Sequence, residues 1–181
     1  IDKNGKVLRK AIVWMDNRAV DEAKAMAEHF GNEQGYKVTG QVSFEPCWPA
    51  PKILWMQKNE PENFKKVVKI MLPKDYLAYR LSGSFCTDVS DASGMLLLDV
   101  KNRCWSKEML DICKITEEQL PKLYESWEVV GTLKPEIAKE LGFSENVKVV
   151  AGAGDNAAAA VGTGTVGDGQ CNISLGTSGT V

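Results

Sequence analysis

The residue best placed for chemistry is Asp155, in the segment VKVVAGAGDNAAAAVG from Val147 to Gly162. The β-branched run from Val147 to Val150 predicts a buried strand, and the alanine-rich stretch after Asp155 predicts a helix. Gly152 and Gly154 allow a sharp turn and leave space beside the carboxylate for a ligand. A carboxylate at the end of a strand is a candidate general base. The N-cap of an ordinary strand-to-helix turn explains the same residue, so both interpretations are open.

The same glycines also fit a dinucleotide site. Gly152, Gly154 and Ala157 match G-x-G-x-x-A between a strand and a helix, which is the order of a Rossmann pyrophosphate loop. Two features oppose this alternative. The Asp155 carboxylate would face the pyrophosphate, and the window CNISLGTSG, about 20 residues further on, contains no acid to bind a ribose.

Glycine is concentrated near the end of the chain, where a second candidate site lies. A strand is predicted over Cys171 to Leu175, and Gly176, Thr177, Ser178 and Gly179 follow it directly. Successive backbone N–H groups and two hydroxyls can form an anion-binding concavity there, although a hairpin turn of small residues explains the same pattern. The segment is not a P-loop, because no G-K-[ST] follows it.

Composition excludes several classes of protein. The net charge of −2 over 181 residues and the lack of a Lys/Arg cluster argue against a nucleic-acid partner. The longest apolar runs are much shorter than a membrane span, so no membrane partner is expected. Five cysteines without C-x-x-C spacing indicate reduced thiols in a cytoplasmic protein. His29 is the one histidine, which excludes histidine-based metal sites and Ser-His-Asp catalysis.

Helix and strand signals alternate along the chain and predict an α/β or mixed α+β fold. Asp16 is a candidate cap for the first helix. Asp88 and Asp91 lie in a polar turn, whose pattern favours a solvated Asx-type turn over a cation site. Helices are predicted over Asn17–Phe30, Lys52–Asn59, Lys74–Leu81, Trp105–Cys113, Thr116–Leu120 and Pro135–Leu141, and further strands over Ala11–Trp14, Val67–Leu72 and Gly94–Leu98.

Six blocks carry a family resemblance: AIVWMDNR from Ala11, APKILWMQKNEP from Ala50, LPKDYLAYRLSGSF from Leu72, TDVSDASGMLLLDV from Thr87, VVAGAGDNAAAAVGTG from Val149 and SLGTSG from Ser174. In this order they resemble the FGGY carbohydrate kinases, and within that family the xylulokinases. The most specific blocks are K-x-x-W, G-D-N-A and L-G-T-S-G. PCWP from Pro46 departs from the P-G-F-T that is common in xylulokinases, so the preferred sugar is left open.

The resemblance implies an actin-like (ribonuclease H-like) α/β fold with two lobes, in which sugar and ATP meet in the cleft. Residues 1–168 would belong to the N-terminal, sugar-binding domain, and residues 169–181 would begin the C-terminal, nucleotide-binding domain. The expected reaction is ATP-dependent phosphorylation of a ketopentose, D-xylulose to xylulose 5-phosphate, with Mg²⁺. The magnesium ligands and the adenine site would lie outside this chain, so the isolated segment is expected to be inactive. A homodimer and a non-catalytic sugar-binding module both stay open.

The resemblance also implies roles for individual residues. Asp155 would be the catalytic base, which agrees with the chemistry of an exposed carboxylate. Core packing explains Trp14 as well as sugar binding does, and helix capping or a surface ion pair explains Asp16. The remaining roles are sugar binding by Asn156, Trp14, Asp16 and Trp48, and contact with the nucleotide phosphates by Gly176, Thr177 and Ser178.

Overall fold

The computed structural model describes residues 1–175 and the backbone of residues 179–180, so Gly176, Thr177 and Ser178 lie outside the described residues. The helices are α1 Val20–Phe30, α2 Asn32–Thr39, α3 Pro49–Asn59, α4 Pro61–Phe64, α5 Pro73–Ser82, α6 Val89–Ala92, α7 Lys107–Cys113, α8 Pro135–Leu141 and α9 Asp155–Gly162. Single 3₁₀ turns cover Ser93–Met95 and Glu117–Gln119. The strands are β1 Cys86–Asp88, β2 Leu98–Asp99, β3 Cys104–Trp105, β4 Lys122–Tyr124, β5 Val129–Thr132, β6 Lys148–Val150, β7 Ser174–Leu175 and β8 Gly179–Thr180.

Proline and glycine set many of the helix ends. Proline is the first residue of α3, α4, α5 and α8, where its missing N–H and fixed φ cost nothing. Gly83 and Gly142 end α5 and α8 in the left-handed conformation, which lets their N–H groups bond back to the last turn. The predicted helices over Lys74–Leu81 and Pro135–Leu141 are therefore confirmed to within two residues.

The strands pair two by two. β1 and β4 are parallel, with Asp88 opposite Tyr124, whereas β2 with β3 and β7 with β8 are antiparallel. β5 and β6 are antiparallel, with a register shift between Val129 and Gly131. The pair β1 and β4 is the important one for the site, because α6 starts where β1 ends.

The core lies between α1, α3, α7 and the segment from Ala92 to Leu98. Met26 of α1, Ile53 of α3 and Met109 of α7 are almost completely buried in it. Leu96, Leu97 and Leu98 contribute three consecutive buried side chains, and Leu96 adopts a positive φ of 59°. These three leucines therefore anchor the chain in the core directly after the 3₁₀ turn that follows α6.

Two predicted strands are wrong, because other groups bond to their backbones. In the segment predicted as Ala11–Trp14, the carbonyls of Val13 and Trp14 accept hydrogen bonds from Lys52 Nζ instead of from a neighbouring strand. Val67–Leu72 makes isolated backbone bonds to Ile1 and Gln119 and no ladder.

The first helix is shorter than predicted. It begins at Val20, with Ala19 at its N-cap position, so Asp16 does not cap it. The predicted strand over Gly94–Leu98 is reduced to Leu98 and Asp99, since a 3₁₀ turn covers Ser93–Met95. Among the residues that the structure describes, no helix is long and apolar enough to cross a membrane.

Candidate active site

Asp155 begins α9 directly after the turn of residues 151–154 that leaves β6. Gly152 adopts a φ of 82°, and a Cβ there would lie 3.1 Å from Lys74 Cδ, so the position favours glycine for conformation and for space. Gly154 takes the N-cap position, so the interpretation of Asp155 as the N-cap is wrong. Asp155 is the first helical residue, and its Oδ1 accepts a hydrogen bond from the N–H of Asn156 at 2.8 Å. The Asp155 side chain is exposed, and within the described residues it has no salt bridge.

The strand before this turn is not buried, contrary to prediction. β6 is Lys148–Val150, and its last residue, Val150, is 46% exposed. β6 pairs antiparallel with β5, whereas a Rossmann loop requires a parallel strand–helix–strand unit. Within the described residues the turn therefore lacks the context of a dinucleotide site.

The turn of residues 151–154 is held by hydrogen bonds from two neighbouring segments. The N–H groups of Ala151 and Gly152 donate to the carbonyls of Glu128 and Ser126, each at 3.0 Å. The N–H of Gly154 donates to Ser90 Oγ at 3.0 Å. The backbone immediately before the carboxylate is thus attached to α6 by a side chain.

The Asp88 carboxylate connects the two segments that hold this turn. The hydroxyls of Ser90 and Ser126 both donate to Asp88 Oδ2, the second at 2.8 Å. The Ser90 N–H also donates to Oδ2, at 2.9 Å, which is the local bond of an Asx turn. Burial works against an ionised Asp88, but hydrogen bonds from Ser90, Ser126 and Lys74 outweigh it and hold the pKa of Asp88 below its usual value.

Lys74 is the cation of a buried cluster that also contains Asp75 and Asp88. Its Nζ lies 3.0 Å from Asp75 Oδ1 and 3.1 Å from Asp88 Oδ1, and both carboxylates are completely buried. The same Nζ donates to the carbonyl of Ala151 at 3.1 Å. Burial works against the ammonium, but the two aspartates outweigh it and raise the pKa of Lys74. Burial also raises the pKa of Asp75, and Lys74 offsets part of that rise.

Asp91 lies at the edge of this cluster, 3.8 Å from Lys74 Nζ, with its side chain 28% exposed. Burial raises the pKa of Asp91 to about 6; Lys74 opposes the rise, and the negative charges of Asp75, Asp88 and Asp155 add to it. Gly154 packs here, since a Cβ on it would lie 3.4 Å from Asp91 Cα.

The structure changes the prediction for Asp88 and Asp91. The Asx turn is present, but Asp88 is fully buried and forms an ion pair with Lys74, so the expectation of a solvated turn is wrong for Asp88. No group of three or more potential ligands that could hold a metal ion occurs among the described residues. Lys74 and Asp75 follow Pro73 and look from sequence like the first turn of a helix, which is why the prediction missed them.

We expect Asp91→Asn to change the pH dependence of stability. The folded-state pKa of about 6 exceeds the reference value of 3.8, so folding binds a proton between these values, and ionised Asp91 costs stability above them. The variant should therefore gain stability relative to the wild type as pH rises from about 4 to 6, with no further gain above that range. Urea unfolding at several pH values measures this difference.

The matched control for that experiment is Asp111→Asn, which removes one charge from an exposed position on α7. Subtracting its effect leaves the contribution of the Asp91 environment. A difference between Asp91→Asn and wild type that is constant from pH 4 to 7 would contradict the assignment.

Trp14 is presented on a segment that Lys52 and Trp55 hold. Lys52 Nζ donates to the carbonyls of Val13, Trp14 and Cys47 at 2.8, 3.2 and 2.8 Å. Burial lowers the pKa of Lys52. The Trp14 side chain is 66% exposed, so the alternative that it packs in the core is wrong for the described residues. Lys52 and Trp55 are the two ends of the K-x-x-W block.

Asp16 and Arg18 stabilise the same segment. The Arg18 guanidinium makes two bonds to the Asp16 carboxylate, at 2.9 and 2.7 Å, and lies 4.7 Å from the centre of the Trp55 ring. Hydrogen bonds from Arg18 lower the pKa of Asp16 to about 2. The interpretation of Asp16 as half of a surface ion pair is confirmed, and its bond to the Arg18 N–H forms a local turn.

A series of contacts connects the predicted sugar-binding residues to the Asp155 turn. Lys52 ties Trp14 to Cys47, and the half-buried ring of the next residue, Trp48, packs against the core. Trp48 Cζ3 would lie 3.5 Å from a Cβ placed on Gly94, which follows α6. α6 in turn carries Ser90, the acceptor for the turn before Asp155.

Comparison with known proteins assigns the family. The model of the N-terminal domain of the FGGY family of carbohydrate kinases matches residues 1–162. The chain is 46% identical to the xylulose kinase of Escherichia coli strain K12 over 179 residues, which are 99% of this chain and 36% of that protein. It is 42% identical to the xylulose kinase of Lactococcus lactis over 181 residues, or 100% of this chain and 36% of that protein.

Solved structures of carbohydrate kinases also match the fold of this chain. The chain superposes on a xyloylose kinase from Brucella ovis with a TM-score of 0.91 and 41% identity, over 99% of this chain and 36% of that one. Plasmodium falciparum glycerol kinase with ADP gives a TM-score of 0.89 at 28% identity, over 97% of this chain and 35% of that one. The chain belongs to the FGGY family of carbohydrate kinases, and the predicted α/β fold of its N-terminal lobe is confirmed. It spans about 36% of the length of the curated relatives described here.

Proposed function

We propose that the complete protein containing this chain transfers the γ-phosphoryl group of ATP to a hydroxyl of a ketopentose, D-xylulose in the first place. The observation that carries the proposal is the Asp155 carboxylate, which is exposed, forms no salt bridge within the described residues and follows a glycine turn that Ser90 holds. Its Oδ1 accepts a hydrogen bond from the N–H of Asn156 at 2.8 Å. Xylulose kinases are among the relatives that match the whole chain, which supports the choice of sugar.

Asp155 acts as the general base in this proposal. It accepts the proton of the sugar hydroxyl while that oxygen bonds to the γ-phosphorus and the bond from phosphorus to the leaving ADP oxygen breaks. Asn156, Trp14, Asp16 and Trp48 bind and orient the sugar. The exposed indole of Trp14 provides a flat apolar surface for the carbon skeleton, held in place by the Lys52 bonds.

The nucleotide side of the site lies mostly elsewhere in the protein. Gly176, Thr177 and Ser178 contact the phosphates in this proposal, and the magnesium ligands belong to the part of the protein outside this chain. Residues 1–168 form part of the sugar-binding domain and residues 169–181 begin the nucleotide-binding domain. The protein is cytoplasmic, and its small-molecule partners are the sugar and ATP.

The test is ADP release by the complete protein with Mg²⁺ and a panel of substrates: D-xylulose, L-xylulose, D-ribulose, xylitol and glycerol. We expect the highest kcat/KM with D-xylulose. Preference for another sugar would overturn the substrate assignment and keep the kinase. Sugar binding without ADP release from any compound would instead support the non-catalytic module.

A further inference from the structure

We propose that Ser90 is a positioning residue for Asp155, because its hydroxyl links the N–H of Gly154, directly before the base, to the buried carboxylate of Asp88. This inference rests on the proposed function, in which Asp155 accepts a proton from the sugar. It concerns how the chain places that carboxylate, which the fold alone does not determine.

The hydrogen-bond directions in this link are fixed by chemistry. The Gly154 amide can only donate, and an ionised Asp88 can only accept, so the Ser90 hydroxyl must accept from the first and donate to the second. Asp88 stays ionised because Lys74 and the hydroxyls of Ser90 and Ser126 surround it. The serine therefore has one possible hydrogen-bond arrangement, which holds Oγ in place for the Gly154 N–H.

Asp88, the acceptor of the Ser90 hydroxyl, is itself held in place by its surroundings. It is completely buried at the end of β1, which pairs in parallel with β4. Its Oδ1 lies 3.1 Å from Lys74 Nζ, and that lysine also bonds to the carbonyl of Ala151 at 3.1 Å. The turn before Asp155 is thus held at its first residue by Lys74 and at its last residue by Ser90.

The backbone bonds at the start of the turn and the Ser90 bond at its end act at different distances from Asp155. The N–H groups of Ala151 and Gly152 hold the start of the turn, and at its end the Gly154 carbonyl accepts the first helical bond of α9, from the N–H of Ala158. The Ser90 bond acts on Gly154, the residue adjacent to Asp155. Loss of this bond should move the carboxylate while the fold of β6 and α9 persists, and small displacements of a catalytic group have large kinetic effects.

Sugar affinity should respond less. The Trp14 and Asp16 segment is held by Lys52 and Trp55, whose contacts do not include Ser90. A variant at Ser90 should therefore lower kcat by a larger factor than it raises the KM for the sugar, since Asn156 is the one proposed sugar-binding residue that adjoins the displaced carboxylate. A general loss of structure would affect both constants and the stability together.

The experiment compares Ser90→Ala, Ser90→Thr and Ser93→Ala in the complete protein. Ser93→Ala is the matched control. Ser93 Oγ donates to the carbonyl of Ser90 at 2.7 Å, so this substitution also removes one serine hydrogen bond from the same turn. We expect Ser90→Ala to lower kcat by about 10- to 100-fold. Ser90→Thr keeps the hydroxyl and should recover most of the turnover, and Ser93→Ala should resemble the wild type.

Hydrogen exchange provides a second measurement that does not depend on catalysis. The Gly154 amide should exchange faster in Ser90→Ala than in wild type, Ser90→Thr or Ser93→Ala, since only Ser90→Ala removes its acceptor. Equal kcat for Ser90→Ala and Ser93→Ala in an active kinase, or unchanged exchange at Gly154, would overturn the inference. If the wild type phosphorylates no sugar, the proposed function fails, and the exchange result still decides whether Ser90 holds the turn.

Discussion

Asp155→Asn will lower the turnover of the complete kinase with D-xylulose by about 10²- to 10⁴-fold, the range that a positioned general base contributes. Asparagine has nearly the same shape as aspartate but cannot accept the hydroxyl proton. The side chain is exposed at the start of α9, so the substitution should leave the helix in place. The dissociation constant for the sugar should change far less than kcat, because the lost function is proton acceptance.

The measurements are steady-state ADP release and calorimetric binding of D-xylulose to each variant. Asp111→Asn is the matched control, since it makes the same chemical change at an exposed position on α7. Its kcat should equal that of the wild type. Retained turnover in Asp155→Asn would refute the role of Asp155 as the base, and equal losses in affinity and turnover would indicate a binding role instead.

Local sequence signals were enough to place several helices and the turn before Asp155. Pro73 and Gly83 delimit α5, and both act within one turn of the backbone. The order of β6, glycine turn and α9 also follows from local composition. The interpretation of Asp155 as an exposed carboxylate therefore required only residues close to it in sequence.

Strand burial was less predictable, because it depends on what packs against the strand. Val147 to Val150 has the composition of a buried strand, yet Val150 is 46% exposed in the described structure. The strand predicted near Trp14 fails for a related reason. The carbonyls of Val13 and Trp14 accept hydrogen bonds from Lys52, which lies 39 and 38 positions further along the chain, and no local pattern reports such a partner.

The buried residues that support the Asp155 turn were not predicted either, because their roles depend on contacts between residues distant in sequence. Lys74 and Asp75 carry the ordinary signals of a first helical turn, and Asp88 those of an Asx turn. The fold brings them into one buried cluster under the Asp155 turn. The family resemblance located the blocks that contain these residues, but their chemistry appears only when α5, β1 and β6 are placed together.

Lys74→Met should be the most destabilising of the substitutions considered for this chain. It leaves Asp75 and Asp88 buried without their cation, and removing one partner of a buried ion pair costs about 3–5 kcal/mol of the free energy of unfolding. Methionine preserves most of the side-chain volume, so lost packing contributes little. The bond to the Ala151 carbonyl is lost as well, which loosens the turn before Asp155.

The control is Lys37→Met, which breaks the exposed pair between Lys37 and Glu33 on α2 and should cost less than about 1 kcal/mol. Urea unfolding of both variants against wild type measures the two costs. The penalty of Lys74→Met should shrink as the pH is lowered from 7 into the range where Asp75 and Asp88 take up protons, for two reasons. The depressed pKa of Asp88 makes its paired, ionised form a stabilising contribution that the wild type loses with acid. Loss of Lys74 removes an interaction that lowers the pKa of both Asp75 and Asp88, so the variant takes up protons at higher pH than the wild type and its unpaired charges are relieved first. A cost equal to that of Lys37→Met would show that Lys74 does not hold the cluster together.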